Sequence, residues 1–524
     1  MMMKKYINLC LLGILFWGIG SVSAQEFGAW RKQYDEFKQQ NRTAYENYKA
    51  QANAEFAEYL RLRWKSYSAL RPDQEPLGVV QPRPERLPNV RPHQRPLPDP
   101  RPDLKQIEQH TQPIHTSTNK NKDKNTDKGE VKKDQPTKGK PSREGDILTS
   151  KNIGDRGEHL RIDFFGDALQ IPWHKSLNAP LTTKDERGFS DVWRSWSKHS
   201  EKTVTALKTY GEAHRMNGWG YYQLVKQVSE MAYTEGHPDE RIALQAYLLS
   251  QLNFKAQVAT NARHLVLLLP FKEAVYGVSY LKIEGQKYYI YSYGHNPSAG
   301  FATYENKFKF ADQRLSLAMD GGMHVGTKIR QEIQRWSAIL GEQLHLDLPI
   351  GNVALMLNYP IVDGEVFYRQ AVDRDIEQVV ISTLRRKIKG MSERETVDFL
   401  LHLVQNGFKY ATDDEMFGRQ KQLMIEESFF YGQNNCKDRV GVFSWLIRRL
   451  TPLKIISVQY DGTPQSKGIN HIATAIAFND EVMGDAVIYK GKRYVICDPT
   501  YINAGVGRQM PCYEGVRPNI APLN

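Results

Sequence analysis

Gln433-Asn434-Asn435-Cys436-Lys437-Asp438-Arg439-Val440-Gly441-Val442-Phe443-Ser444-Trp445-Leu446-Ile447-Arg448-Arg449-Leu450 is the stretch whose reading decides the fold. Val440, Phe443, Ile447 and Leu450 recur at helical spacing, and Val442 and Leu446 widen the apolar face. An amphipathic, buried helix is therefore predicted here. Asn434 and Asn435 are residue types that turn a chain and cap a helix. Cys436 then falls in the first helical turn, where free N–H groups and the positive end of the helix dipole favour thiolate over thiol. A sulfur nucleophile requires that condition.

Two further residues follow in chain order. His471 opens the run His-Ile-Ala-Thr-Ala-Ile-Ala-Phe, whose alternation predicts a half-buried strand. Asp498 closes the run Lys-Arg-Tyr-Val-Ile-Cys-Asp, a second strand stopped by Pro499. Taken singly each residue has a plainer reading: a small buried apolar Cys, a structural His, a turn-forming Asp before Pro. A helix presenting a thiol, followed by strands presenting a base and an orienting acid, is a standard way to build a Cys-His-Asp triad.

At Cys436-Lys437-Asp438-Arg439, Asn470-His471-Ile472-Ala473 and Cys497-Asp498-Pro499-Thr500-Tyr501 the chain resembles the transglutaminase-like superfamily, within the wider papain-like group. The resemblance covers roughly the last quarter of the chain. It implies an α+β fold in which a Cys-bearing helix packs on an antiparallel sheet. Cys436 is expected to attack an amide or thioester carbonyl. His471 would take the thiol proton and later protonate the leaving amine, and Asp498 would hold the imidazole in the productive tautomer. The oxyanion would meet the Cys436 backbone N–H and one side-chain donor. Gln433 and Asn434 are the nearest candidates, with the loop from Phe417 to Tyr431 as another source.

Two departures from the family pattern stand out. Relatives often carry Gly-Asp or Gly-Gln before the cysteine, where this chain has Asn434-Asn435, and an acidic residue after it, where this chain has Lys437. Lys437 either holds its ammonium near the thiolate or points into solvent. Asp438 and Arg439 are expected to support helix packing and loop geometry. The same triad serves peptide hydrolysis, deamidation and Gln–Lys cross-linking. Without the calcium-site composition of animal cross-linking enzymes, the reading is a thiol peptidase or amidase acting on a protein or peptide substrate. Transamidation is one alternative, and a non-catalytic binding or assembly scaffold is the other. No cofactor is expected, and no paired Cys or His spacing suggests a metal site.

The remaining chain reads as a series of segments. Residues 1–24 carry Lys4 and Lys5, an apolar run from Ile7 to Gly20 and Val22-Ser23-Ala24, the pattern of a cleavable signal peptide. The run is short for a membrane span, no other segment is apolar enough to cross a bilayer, and no Cys follows the cleavage site, so no lipid attachment is expected. A periplasmic or secreted protein follows. Cys10 leaves with the signal, so Cys436, Cys497 and Cys512 remain. Cys497–Cys512 is the natural disulfide, and three reduced thiols are the alternative. The formal net charge of +12 hints at acidic polymers, but no nucleic-acid motif is present and no nucleic acid is expected as partner.

Residues 25–70 read as one long helix whose Phe27, Trp30, Tyr34, Phe37, Asn41, Ala44 and Tyr48, then Ala52, Phe56 and Tyr59, form a coiled-coil-like seam. Self-association or a partner helix through 26–70 is one expectation. Folding back on the chain's own globular part is the other. Residues 71–147 are Pro-rich and then rich in Lys, Asn, Asp and Thr, a linker expected to be extended and disordered. Residues 148–300 read as a degenerate transglutaminase-like copy: Asp239–Leu252 aligns with the helix after Cys436, with Pro238 at the cysteine position, His264 near that of His471 and Ser292 at that of Asp498. Proline cannot attack a carbonyl, so this half is expected to be non-catalytic. Residues 301–390 form an α/β connection, with Val353–Leu357 strand-like and Asp373–Lys389 helical. Residues 391–524 form the catalytic domain. There Ser392 and Glu395 make a capping box ahead of a helix to Gln405, and Phe408-Lys409-Tyr410 leads toward the cysteine.

Overall fold

A computed structural model describes residues 24–74, 158–294 and 300–523. Of the signal-peptide reading (1–24) all but Ala24, and of the linker reading (71–147) all but 71–74, lie outside them; residues 71–74 are not linker, since Asp73 pairs with Lys287 and its carbonyl accepts from the Gly277 N–H (2.9 Å). Helices and antiparallel sheets alternate, so the fold class is α+β.

The C-terminal sheet is organised around the helix Cys436–Leu450, which packs on the strands His471–Ala477 and Lys454–Tyr460. Its strands lie in the order Ala486–Tyr489, Lys492–Cys497, His471–Ala477, Lys454–Tyr460, Asn519–Pro522, all antiparallel. Alternation along each strand splits the apolar residues between two cores. Ile455, Ile472, Ile476, Val495 and Cys497 join the main core. Ile456, Val458, Ala473, Ala475 and Ile496 face the other way, beneath Tyr501, Met510 and Tyr513 of the C-terminal segment. Both faces are covered, so His471–Ala477 is buried along its whole length and not half-buried as its alternation suggested. The same split separates Cys497, in the main core, from Cys512, which packs on the opposite core. The Cys497–Cys512 disulfide is not formed, and Cys436, Cys497 and Cys512 keep the alternative of three reduced thiols.

An N-terminal sheet precedes it in the order Lys65–Ser68, Gly300–Thr303, Gln257–Thr260, Leu265–Leu269, Gln286–Tyr291, Tyr280–Ile283. Leaving aside Lys65–Ser68, its strand order and chain path equal those of the C-terminal sheet, and again all pairs are antiparallel. The helix Pro238–Gln251 leads into it as Cys436–Leu450 leads into the other. Pro238 and Cys436 each open their helix, and Ser292 and Asp498 each follow the matching strand's last residue.

The long N-terminal helix ends at Leu60, ten residues short of the expected limit, and Lys65–Ser68 becomes an edge strand paired with Gly300–Thr303. Its second half folds back on the chain. Ala52, Phe56, Ala57 and Leu60 are buried, with Phe56 against Trp193, Tyr304 and Phe308. Asn53 Oδ1 accepts from Trp193 Nε1 (3.0 Å) and Gln251 Nε2 (2.8 Å). The C-terminal part of the predicted seam is thus consumed within the chain, while Tyr45 and Tyr48 stay half exposed beside Phe310.

Between the sheets, Val353–Leu357 is not a strand but lies in the helix Ile350–Leu357, buried along its length. A segment buried on every side has no periodicity to read, and Ala, Leu and Met favour the helix. The helices Arg374–Lys387 and Glu393–Gly407 lie where expected, the latter with the Ser392/Glu395 capping box in place.

Phe56→Ala should lower stability by about 3 kcal/mol, the usual cost of removing a buried phenylalanine. The urea midpoint should drop without depending on protein concentration. A concentration-dependent midpoint would instead mark the helix as an intermolecular seam.

Candidate functional site

Asn435 is the N-cap that fixes Cys436 at the helix start. Its Oδ1 accepts from the N–H of Lys437 (3.1 Å) and Asp438 (3.5 Å), and Asp438 Oδ2 accepts from the Asn435 N–H (3.2 Å). With those N–H groups committed, helix geometry leaves the Cys436 N–H without an intrahelical acceptor. Asn435 Nδ2 donates to Asp413 Oδ1 (2.7 Å), and Lys437 Nζ pairs with Asp413 Oδ2 (2.9 Å), with both residues buried. Lys437 therefore does not point into solvent: its buried ammonium is bound to Asp413. Burial and the Asp413 charge push the Asp438 carboxyl up to about 8.

The structure brings the three triad residues together. His471 Nε2 lies 2.7 Å from Asp498 Oδ2, and both side chains are almost fully buried. Asp498 Oδ1 accepts from the N–H of Thr500 (2.8 Å) and Tyr501 (3.3 Å), a local turn that locks the carboxylate. With Nε2 committed to Asp498, Nδ1 is the nitrogen left to serve Cys436, and it has no partner that meets strict hydrogen-bond geometry. Burial opposes a charge on His471. The Asp498 carboxylate, its hydrogen bond and the contact with Cys436 outweigh burial and raise the imidazole to about 10. Tyr513 stacks on the His471 ring (5.4 Å, 20°) and Tyr460 stacks on Tyr513 (5.3 Å, 26°), so the C-terminal segment covers the base. Cys436 is 4% exposed.

Arg439, one turn into the helix, joins the separate parts. Fully buried, its guanidinium donates to Asn434 Oδ1 (3.1 Å), Gln405 O (3.1 Å), Phe408 O (2.6 Å) and Pro499 O (3.5 Å). Burial lowers its pKa to about 10, against the raising effect of Tyr410, Cys436 and Asp498. Gln405 Nε2 adds a bond to the Asp498 carbonyl (2.9 Å).

Of the oxyanion candidates, Asn434 is fully buried and Gln433 half-buried. Arg439 fixes the Asn434 amide through its oxygen, and Asn434 Nδ2 has no partner among the described residues. The preceding loop spends its amides on structure: Leu423 N–H on Asp438 Oδ1 (3.0 Å), Met424 N–H on Glu427 Oε2 (3.0 Å) and Ile425 N–H on Gln370 Oε1 (2.7 Å). Sequence reasoning missed Tyr410. It pairs in parallel register with Asn434, and its ring lies 5.4 Å from the Arg439 guanidinium. Its place in Phe408-Lys409-Tyr410 was visible, but its proximity to the thiol was not. Among the described residues, no cluster of three or more His, Cys, Asp or Glu suits a metal ion, and no helix is long and apolar enough to cross a membrane. No protein-family model matches the chain, and no curated protein matches it.

Arg439→Met should cost about 3–5 kcal/mol, since it strands buried oxygens from three chain segments; chemical denaturation measures this. His471 supplies a pH signature. An unfolded histidine releases its proton near ~6.5, whereas the folded one keeps it to about 10. This contribution to stability is complete below pH ~6.5 and is lost as pH rises through about 10. Asp498→Asn should flatten the fall in urea midpoint between those limits.

Proposed function

We propose that the chain is a cysteine hydrolase of transglutaminase-like, papain-related type that cleaves amide bonds through an acyl-thioenzyme on Cys436. The observation that carries this reading is a histidine locked by a buried carboxylate at 2.7 Å and set against a thiol on the first residue of a capped helix. Cys436 Sγ attacks the carbonyl carbon as the thiolate of a thiolate–imidazolium pair. The oxyanion is met by the Cys436 N–H, with Asn434 Nδ2 as a side-chain donor. His471 gives its proton to the leaving amine, then accepts one from the incoming water. Arg439 keeps Asn434 and the Asp498 turn aligned with the helix start.

An amine in place of water would turn the same acyl-enzyme into a transamidase. In this reading the N-terminal sheet, with Pro238 where the nucleophile stands, is a non-catalytic copy that supports the active half. The residue pattern at the N-terminus supports export to the periplasm or beyond.

The test is capture of the acyl-enzyme. After brief exposure to an activated acyl donor and an acid quench, mass spectrometry should find the acyl group on Cys436 and not on Cys497 or Cys512. His471→Ala should lower capture by two or more orders of magnitude. Release of the acyl group in buffer alone marks a hydrolase, and release only with added primary amine marks a transamidase. No acyl-Cys436 under any of these conditions favours a binding scaffold.

A further inference from the structure

Tyr410 carries a hydroxyl that the fold buries and leaves without an acceptor or donor among the described residues. Buried hydroxyls are ordinarily bonded, so an unpartnered one calls for a reason. Its position is firmly set: the Lys409 N–H donates to Gly432 O (3.1 Å) and the Ala411 N–H to Asn434 O (3.2 Å), so Tyr410 lies beside the chain two residues before the nucleophile. The Arg439 guanidinium, itself held by the segments around the triad, lies against the ring. Other hydroxyls near the site are in part alike: Tyr431, Tyr460 and Thr500 also bury theirs without a partner among the described residues, while Tyr513 OH donates to Ile469 O (2.7 Å). Tyr410 is set apart by its pairing with Asn434 and its ring against Arg439.

Resting on the hydrolase reading above, we infer that Tyr410 is a catalytic residue of the same site, its phenol O–H donating a hydrogen bond to the oxyanion formed when Cys436 attacks a carbonyl. In that step the Sγ–C bond forms, the carbonyl π pair moves to oxygen, and Tyr410 stabilises the charge without giving up its proton. Collapse re-forms the carbonyl and expels the leaving group, which takes its proton from His471 when it is an amine. Burial, and after it the nearby Cys436 charge, hold the phenol well above its usual pKa, so it stays a donor throughout the working range. The guanidinium against the ring favours a polarised O–H, and four of its five N–H donors go to Asn434 and three carbonyls.

The experiment compares wild type with Tyr410→Phe, which keeps the ring, using two probes on Cys436. p-Nitrophenyl acetate acylates through a tetrahedral oxyanion, whereas iodoacetamide alkylates without one and reports the thiolate and the integrity of the site. Loss of acylation by about 100-fold, with alkylation unchanged, is the expected result. Equal acylation in both proteins overturns the assignment. A parallel fall in both reactions also overturns it, because Tyr410 then acts on the thiolate or on folding. A wild-type Cys436 inert to both probes overturns the hydrolase reading itself, and this assignment with it.

Discussion

A buried guanidinium holds the C-terminal half together. Removing a cation from water costs several kcal/mol unless its N–H groups are satisfied, and Arg439 satisfies them with oxygens from three places in the chain. Gln405 and Phe408 lie at the end of one helix, Asn434 lies two residues before Cys436, and Pro499 follows Asp498. These partners are neutral, so no bonded carboxylate cancels the charge, and its field reaches Cys436 and Asp498. One side chain therefore ties together the three segments that surround Cys436, His471 and Asp498. The layer behind it follows the same logic. Lys437–Asp413 and Lys421–Glu427 are buried ion pairs at 2.9 Å, each supported by hydrogen bonds to the loop before Cys436. Such pairs add little net stability but specify one arrangement.

The N-terminal half shows the same path of helix and strands without the cysteine. Where the Cys436–Leu450 helix begins with a thiol, Pro238 fits the first helical position, where a missing N–H costs nothing. The next residue, Asp239, is buried and takes the Leu265 N–H (2.6 Å) and the Lys184 ammonium (2.7 Å). His264 stands 3.8 Å from that carboxylate. An ion pair thus occupies the helix start where Cys436 stands in the other half. The shared strand order shows that one arrangement of helix and sheet accommodates either set of residues, Cys436 with Asp498 or Pro238 with Ser292.

What the sequence made legible was local. The 436–450 helix, its asparagine cap and the Ser392 capping box are signals within a few residues, and all stand where their residues placed them. The meeting of His471 with Asp498 was legible because strand ends next to a helix start leave few other arrangements. What stayed hidden depends on distant packing. The direction of Lys437 depends on Asp413, twenty-four residues away. The fate of Cys497 and Cys512 depends on which face of the sheet each occupies. The aromatic seam of the first helix had two self-consistent partners, and only tertiary structure selects Trp193, Tyr304 and Phe308. Tyr410 stands in the legible lead-in Phe408-Lys409-Tyr410, yet its unpartnered hydroxyl is a property of the assembled chain.

The most direct measurement of the central claim is the alkylation rate of each cysteine against pH, resolved by mass spectrometry, in wild type and in His471→Ala. The account predicts that Cys436 reacts well below the ordinary thiol value of ~8.5, that Cys497 stays inert because burial raises its thiol, and that removing His471 abolishes the low-pH reactivity of Cys436. A Cys436 no more reactive than the other two thiols, or indifferent to His471, would contradict it.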